Sequence, residues 1–287
     1  MQKPVSKVLA CYDGSVPAGA AIEVAARLLP RAQAQVTYVW SPPFASEALR
    51  RRLWHGRAGV NEFVAAIERE GEAEAHRLAA MGVALAGVQG WDAAPLVQRT
   101  YGGEGLQLAQ LAEHVGADLI VAGSRGLDGA RAVFGSVSDV AVHYAPCPVL
   151  VVPYPLLEAD RAALGKGPVV VGWDGSSGAE TAHRVAARLF PDRAVVPVFV
   201  QDGNGPAERT IAGLKKLPKA GSSVEHGRSV AAALASQART EHAAVLAVGS
   251  LGRSALHEIV LGSVAMATLH HAYRPVLVVP HRYAADR

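Results

Sequence analysis

Apolar residues along the chain fall into short blocks of four to eight, separated by alanine-rich stretches with helical spacing. Val5–Cys11 reads as a buried strand. Ala18–Leu29 follows as a helix with Ile22, Ala25, Ala26 and Leu29 on one face, and Pro30 stops it. Ser15 or Asp13 stands where a helix cap belongs. Gln35–Trp40 predicts a second strand. Ser46–Ala80 is charged and predicts mostly helix, weakly broken at Gly56, Gly59 and Gly71. Val83–Val88 reads as a third, weaker strand. Gly102-Gly103-Glu104 precedes a helix over Leu106–His114, and Asp118–Ala122 is a strong fourth strand. Gly135-Ser136 opens a helix to about Tyr144, and Val149–Val152 is a fifth strand.

The same series then recurs in the same order. Val169–Ser176 matches Val8–Ser15, and Ala182–Leu189 echoes Ile22–Leu29. Val195–Val200 repeats the second strand, Ala243–Gly252 the fourth with its turn, and Gly262-Ser263-Val264 the Gly135-Ser136-Val137 element. Arg274–Pro280 repeats Cys147–Pro153. An internal duplication follows. Asp13 and Asp174 are 161 positions apart, but Gly123 and Gly249 only 126, so the later copy lacks about 35 residues. The deficit falls on the charged helix, with the Gly/Pro-rich Asp202–Gly221 as its substitute.

Strands alternating with helices imply right-handed crossovers and a parallel sheet. Uninterrupted apolar strands fit a sheet covered on both faces. The expected fold is α/β: two tandem, doubly wound, five-stranded parallel-sheet (Rossmann-like) domains. Their expected extents are 1–155 and 169–287, with a linker over 156–168. A length of 287 residues and a hydrophobic fraction of 50% allow two cores.

Composition removes several classes. A net charge of +3, with no basic block beyond Arg50-Arg51-Arg52, gives no footprint for nucleic acid. No apolar run of ~18 residues predicts a membrane span. Two cysteines, Cys11 and Cys147, without metal-type spacing point to a reduced, cytoplasmic setting with free thiols. The opening MQKPVSKVLA lacks the apolar core of a signal peptide. No GxSxG, metal-type histidine pair or Gly-Lys-Ser/Thr loop is present, so no residue is assigned a catalytic role. His270 and His271, like His143, suit the last turn of a helix, where positive charge is favoured.

Candidate chemistry sits at the strand ends. In an open parallel sheet, ligands bind beyond the carboxyl ends of the strands. Asp13 and Asp174 end first strands, and the Gly123/Gly126 and Gly249/Gly252 turns end fourth strands. Glycines allow φ > 0 and close backbone approach, and helix N-termini offer unpaired N–H groups to an anion. The pattern suits a phosphate cradle. It equally suits a tight strand-to-helix turn without a ligand.

These motifs together resemble a tandem universal stress protein, over nearly the whole chain: Asp-Gly-Ser after strand one, Gly-x-x-Gly followed by Gly-Ser, and the terminal Pro-Val-Leu-Val-Val-Pro strand. The resemblance implies an adenine-nucleotide site for ATP, ADP or AMP, with Mg²⁺ bridging phosphate oxygens as an option. It places Asp174 on the adenine or ribose side and Val200 backbone groups against the base. Gly249, Gly252, Gly262 and Ser263 hold ribose and phosphates, with Ser176 and Val264 beside them. Nine residues separate Gly252 from Gly262, as the family pattern asks. The first-half set is Asp13, Ser15, Val39, Gly123, Gly126, Gly135 and Ser136. There only eight residues separate Gly126 from Gly135. One lost residue shifts donors by up to ~3.5 Å, beyond the tolerance of a hydrogen bond. Arg125 and Arg131 remain as charges near that loop. The resemblance also makes the fifth strand a dimer contact. The two halves are therefore expected to pair within one chain, leaving a homodimer of whole chains open. The implied role is a nucleotide-occupancy regulator with slow or no hydrolysis. A protein-interaction scaffold with purely structural glycine turns is the alternative.

Overall fold

The computed structural model describes residues 7–41, 60–124, 141–201, 209–218, 226–252, 261–281 and 283. In the first half, β1 (Lys7–Cys11), β2 (Gln33–Trp40), β3 (Asp92–Arg99), β4 (Leu119–Gly123) and β5 (Val149–Val152) lie in the order β3-β2-β1-β4-β5, all parallel. The second half repeats this with β6 (Val169–Gly172), β7 (Val195–Val200), β8 (Lys215–Leu217), β9 (Val245–Gly249) and β10 (Val276–Val279), ordered β8-β7-β6-β9-β10. The two fifth strands pair antiparallel, Leu277 opposite Leu150, making one ten-stranded sheet.

Both faces of the sheet are covered. On one, Val8, Val121, Leu150, Val171, Ala247 and Leu277 pack under α1 (Val16–Leu28) and a later helix, Ser177–Leu189. On the other, Leu9, Ile120, Val151, Val170, Leu246 and Val278 pack under the remaining crossover helices. Neighbouring residues of one strand thus go to opposite faces, which is why these strands are apolar at every position. Leu150 and Leu277 share a face, so each apolar layer runs unbroken across the joint between halves.

Three elements differ from the sequence reading. Residues Val83–Val88 close a 29-residue helix, α2 (Val60–Val88), and the third strand is Asp92–Arg99. Ala75, Ala79, Gly82 and Ala86 are buried at helical spacing, so the apolar run continues the helix. The true β3 carries Asp92 and Pro95, which strands disfavour, and tolerates them at the sheet edge. Gly71 does not break α2; a methyl there would lie 2.6 Å from the Trp40 ring, so the helix needs glycine to approach β2. The expected linker contains a helix, α4 (Glu158–Lys166), with acidic residues in its first turn and Ala163 and Leu164 buried. Between β7 and β8, the described residues hold no counterpart of α2. The fourth-strand crossovers are α3 (Glu104–Val115) and α6 (His226–Thr240), with α5 (Ser177–Leu189) and α7 (Ser263–His271) completing the second half. Among the described residues, no helix is long and apolar enough to cross a membrane.

Candidate functional site

Each first strand runs into Asp-Gly-Ser, and both copies fold identically. Gly14 and Gly175 take φ of +82° and +83°, a region that favours glycine. The turn lets Asp13 Oδ1 accept from the Ser15 N–H, and Asp174 Oδ1 from the Ser176 N–H, each at 2.9 Å. Ser15 and Ser176 in turn cap α1 and α5, their hydroxyls accepting from the N–H of Ala18 (3.3 Å) and Ala179 (3.2 Å). Both hydroxyls were nucleotide candidates, and both already serve a helix.

The fourth strands end in a second shared device. The Ser250 N–H donates to Val279 O at 2.8 Å, and its hydroxyl accepts from the His281 N–H at 3.1 Å. Ser124 repeats this with Val152 O (2.8 Å) and the Tyr154 N–H (3.2 Å). The Gly262 N–H donates to Ser250 O at 2.7 Å, tying the Gly249–Gly252 turn to the start of α7. The Gly262 amide that the sequence offers to phosphate, and that of Ser250 within the same turn, are therefore used by the protein itself. None of Gly123, Gly249, Gly252 and Gly262 has positive φ. Their need for glycine is close approach: a methyl on Gly249 would lie 2.9 Å from the Gly178 backbone, and one on Gly123 2.6 Å from Pro17 O.

What remains open in the second half is the N-terminus of α7. Gly262 is its N-cap and, being glycine, brings no side chain to cap it. The N–H groups of Ser263, Val264 and Ala265 have no intrahelical acceptor there, and the helix dipole adds roughly +0.5 charge. Asp174 stands close by, with Oδ2 2.9 Å from where a methyl on Gly252 would lie. Val200 is buried at the end of β7, opposite Leu217. Asp174, the Gly252 turn and the α7 N-terminus thus meet at one rim.

In the first half, Asp13, Ser15, Val39 and Gly123 line a cavity of about 240 Å³ with Tyr38 and Glu104. Gly126, Gly135 and Ser136, with Arg125 and Arg131, lie outside the described residues. Glu104 escaped the sequence reading, although Gly102-Gly103 marked its helix start. Gly103, at φ +71°, turns the chain into α3, and Glu104 Oε1 accepts from the Ser41 hydroxyl at 3.2 Å. Burial, then the charges of Asp13, Glu104 and Glu74, hold the Tyr38 phenol above its usual range. Burial, Asp13 and Cys147 push the Cys11 thiol up to about 12. Among the described residues, no group of three or more His, Cys, Asp or Glu side chains is placed to hold a metal.

The family model described as "Universal stress protein family" matches residues 4–153 and 207–280. The chain belongs to the universal stress protein family. The family match leaves out β6, α5 and β7, which the internal repeat supplies. A universal stress protein of Thermus aquaticus is 36% identical over 155 residues, covering 50% of this chain and 96% of that one. A universal stress protein of Mycolicibacterium smegmatis is 30% identical over 190 residues, covering 58% of this chain and 63% of that one. The crystal structure of a universal stress protein from Archaeoglobus fulgidus DSM 4304 superposes with a TM-score of 0.62 at 14% identity, over 96% of this chain and 99% of that one. At that identity the likeness shows the tandem fold alone.

Proposed function

We propose that this universal stress protein binds an adenine nucleotide, ATP or its ADP and AMP forms, at the C-terminal rim of its second half. Occupancy of that site, rather than turnover, would regulate a stress response. The observation that carries this reading is the convergence of Asp174, the Gly252 turn and the N-terminus of α7, whose N-cap is Gly262. The helix end suits phosphate, through the N–H groups of Ser263, Val264 and Ala265. The Asp174 carboxylate suits a ribose hydroxyl or a base amino group. Gly249 and Gly262 would hold the turn and helix at the spacing this needs, with Ser176 fixing Asp174 and Val200 walling the base. A Mg²⁺ ion would arrive on the nucleotide's own oxygens.

The proposed division is a first domain over 1–155, a connecting segment over 156–168 and a second domain over 169–287. The antiparallel β5–β10 pairing supports a joint made within one chain through the fifth strands, and leaves β3 and β8 as edges for any homodimer.

Calorimetric titration with ATP tests the site. Among the described residues, Gly252→Val sets a side chain against the movable Asp174 carboxylate rather than against backbone. It should weaken binding at least tenfold with little loss of fold. Equal affinity in both proteins would overturn the assignment. The scaffold alternative draws on the internal use of the Ser250 and Gly262 amides. Nucleotide released by heat from purified protein and identified by mass would exclude it.

A further inference from the structure

Helix α2 changes character after Arg77. From Arg69 to Arg77 every exposed position but Ala73 is ionisable, whereas none of the exposed positions from Ala80 to Gly90 is. Ala80, Met81, Ala84, Leu85 and Val88 share an arc of about 140° on the helix surface, at 100° per residue. Met81, Leu85 and Val88 are 48%, 42% and 82% exposed. No basic residue stands in the last turn, although the helix dipole favours one there. A surface helix ordinarily turns charge outward. Here the outward face is apolar over its last three turns, and the same face nearer the N-terminus carries Glu70, Glu74 and Arg77. The other exposed large apolar side chains of the first domain, Val16, Tyr101, Leu106 and Tyr144, come one to a segment.

The position of this face narrows what can cover it. Helix α2 packs on β2 and β3, at the open end of the sheet and away from the β5–β10 joint. Neither edge strand suits continuation of the sheet into another chain: β3 contains Pro95, which has no N–H, and β8 is three residues long with Lys215 and Lys216. The second domain offers no receiving face. Among its described residues, Tyr273 is the one exposed large apolar side chain. Burying the α2 face against charged surface would strip water from those charges without pairing them. Within another copy of this chain, the apolar match to the face is the face itself, and a patch that meets itself does so about a two-fold axis.

An antiparallel crossing centred on Ala84 lays Met81, Leu85 and Val88 of each helix on those of the other, and the small Ala80 and Ala84 allow the backbones to close. It sets Arg77, seven residues above the centre, level with Asp92 of the partner subunit, eight below, so opposite charges meet at the rim. The largest apolar patch on a typical monomer spans ~300–600 Å², and a standard interface buries about 800 Å² on each side. The α2 face supplies the apolar centre of such an interface, and Glu74, Arg77, Gln89 and Asp92 supply its polar rim.

We propose that two copies of this chain associate through the C-terminal half of α2, antiparallel about a two-fold axis at Ala84. The fifth strands then join domains within a chain, and α2 joins chains. The contact holds whether or not the second half binds nucleotide.

Sedimentation velocity of the full chain at micromolar concentration, with and without ATP, tests it. The chain should run as a dimer in both conditions. Met81→Glu and Val88→Lys, each at an exposed position, should weaken the dimer at least tenfold while far-UV circular dichroism and the urea midpoint of the monomer stay unchanged. Ala84→Cys should oxidise to a disulfide-linked dimer, because the axis brings that residue to its own copy, whereas the parent chain and Ser177→Cys on α5 should stay unlinked under the same oxidation. A monomer at every soluble concentration would overturn the proposal. So would a dimer whose affinity neither substitution moves, an Ala84→Cys chain that does not link, open-ended polymers, or a monomer that uses the face to bind lipid vesicles.

Discussion

Asp160 and Arg274 form an ion pair 3.2 Å apart with side chains only 6% and 5% exposed, joining the connecting helix α4 to the start of β10. The Arg274 guanidinium also donates to Ala243 O, so it spans α4, β10 and the end of α6. In the repeat, Arg274 occupies the place of Cys147, which is also buried. The second half thus has a long cation where the first has a thiol, and the connecting helix supplies its counter-ion. Next to Asp160, Arg161 reaches the other way, to Glu23 of α1 at 3.2 Å. That pair is partly exposed and contributes little. Asp160→Ala leaves a buried guanidinium without its partner and should cost about 3–5 kcal/mol. The double change Asp160→Leu with Arg274→Met should recover most of it. Urea midpoints of the three proteins check both statements.

Helix α2 carries glycines in two opposite situations. A methyl on Gly82 would lie 2.6 Å from a Val36 methyl and 2.8 Å from the Tyr12 ring, while one on Gly87 meets none of the described residues within 4 Å. Alanine gains about 1 kcal/mol of helix propensity at either position. At Gly82, overpacking of about 1–3 kcal/mol offsets or exceeds that gain. Gly87→Ala should therefore raise the melting temperature, and Gly82→Ala leave it unchanged or lower it. Thermal unfolding of the two single variants, side by side, gives the comparison.

These glycines also show why the sequence was only partly legible. The duplication, the parallel strands and the Asp-Gly-Ser turns are local patterns, and they read correctly. Residues 83–88 misled because a short run that is apolar or small at every position fits a buried strand and a helix end alike. What settles them is burial of Ala79, Gly82 and Ala86 against β2, a tertiary fact. Likewise, Gly249 and Gly262 were legible as glycines but not as close contacts, since their neighbours Gly178 and Ser250 come from other segments or across a loop. Glu104 was missed because its meaning depends on Asp13, ninety-one positions away in the chain.

Both cysteines are free, and both thiols are pushed up from 9.0 to about 12. Burial is the leading cause in each. The Asp13 charge adds to it for Cys11, and the Asp118 charge for Cys147. The thiolate is the reactive form, so a rise of this size cuts its population by roughly a thousandfold near pH 8. Native protein should label with a disulfide reagent at least that much more slowly than protein unfolded in urea. The sign for stability follows from the same shift. The folded state holds protons that the unfolded state releases above pH 9, so the thiols' contribution is full below pH 9. It is lost as pH rises from 9 towards 12. Cys11→Ser with Cys147→Ser should flatten that alkaline decline in a urea series.

His242 takes φ +48° at the end of α6, the place held by Gly116 at φ +62° after α3. The closing bonds agree in both copies. Ala243 N–H donates to Ala238 O as Ala117 does to Ala112 O, each at 2.8 Å, and His242 N–H donates to Arg239 O at 3.0 Å as Gly116 does to Glu113 O at 3.1 Å. The left-handed conformation costs a side-chain-bearing residue about 1–2 kcal/mol. Glycine removes that cost but gives back about 0.4–1 kcal/mol of unfolded-chain entropy. The His242 side chain is exposed, so little packing is lost with it. His242→Gly should stabilise the protein by about 0.5–1 kcal/mol, a rise of roughly 1–3 °C in melting temperature. The reciprocal Gly116→His should lower it by a similar amount. If both changes destabilise, the histidine is held by contacts of its ring, and the turn is not the source of strain in this half.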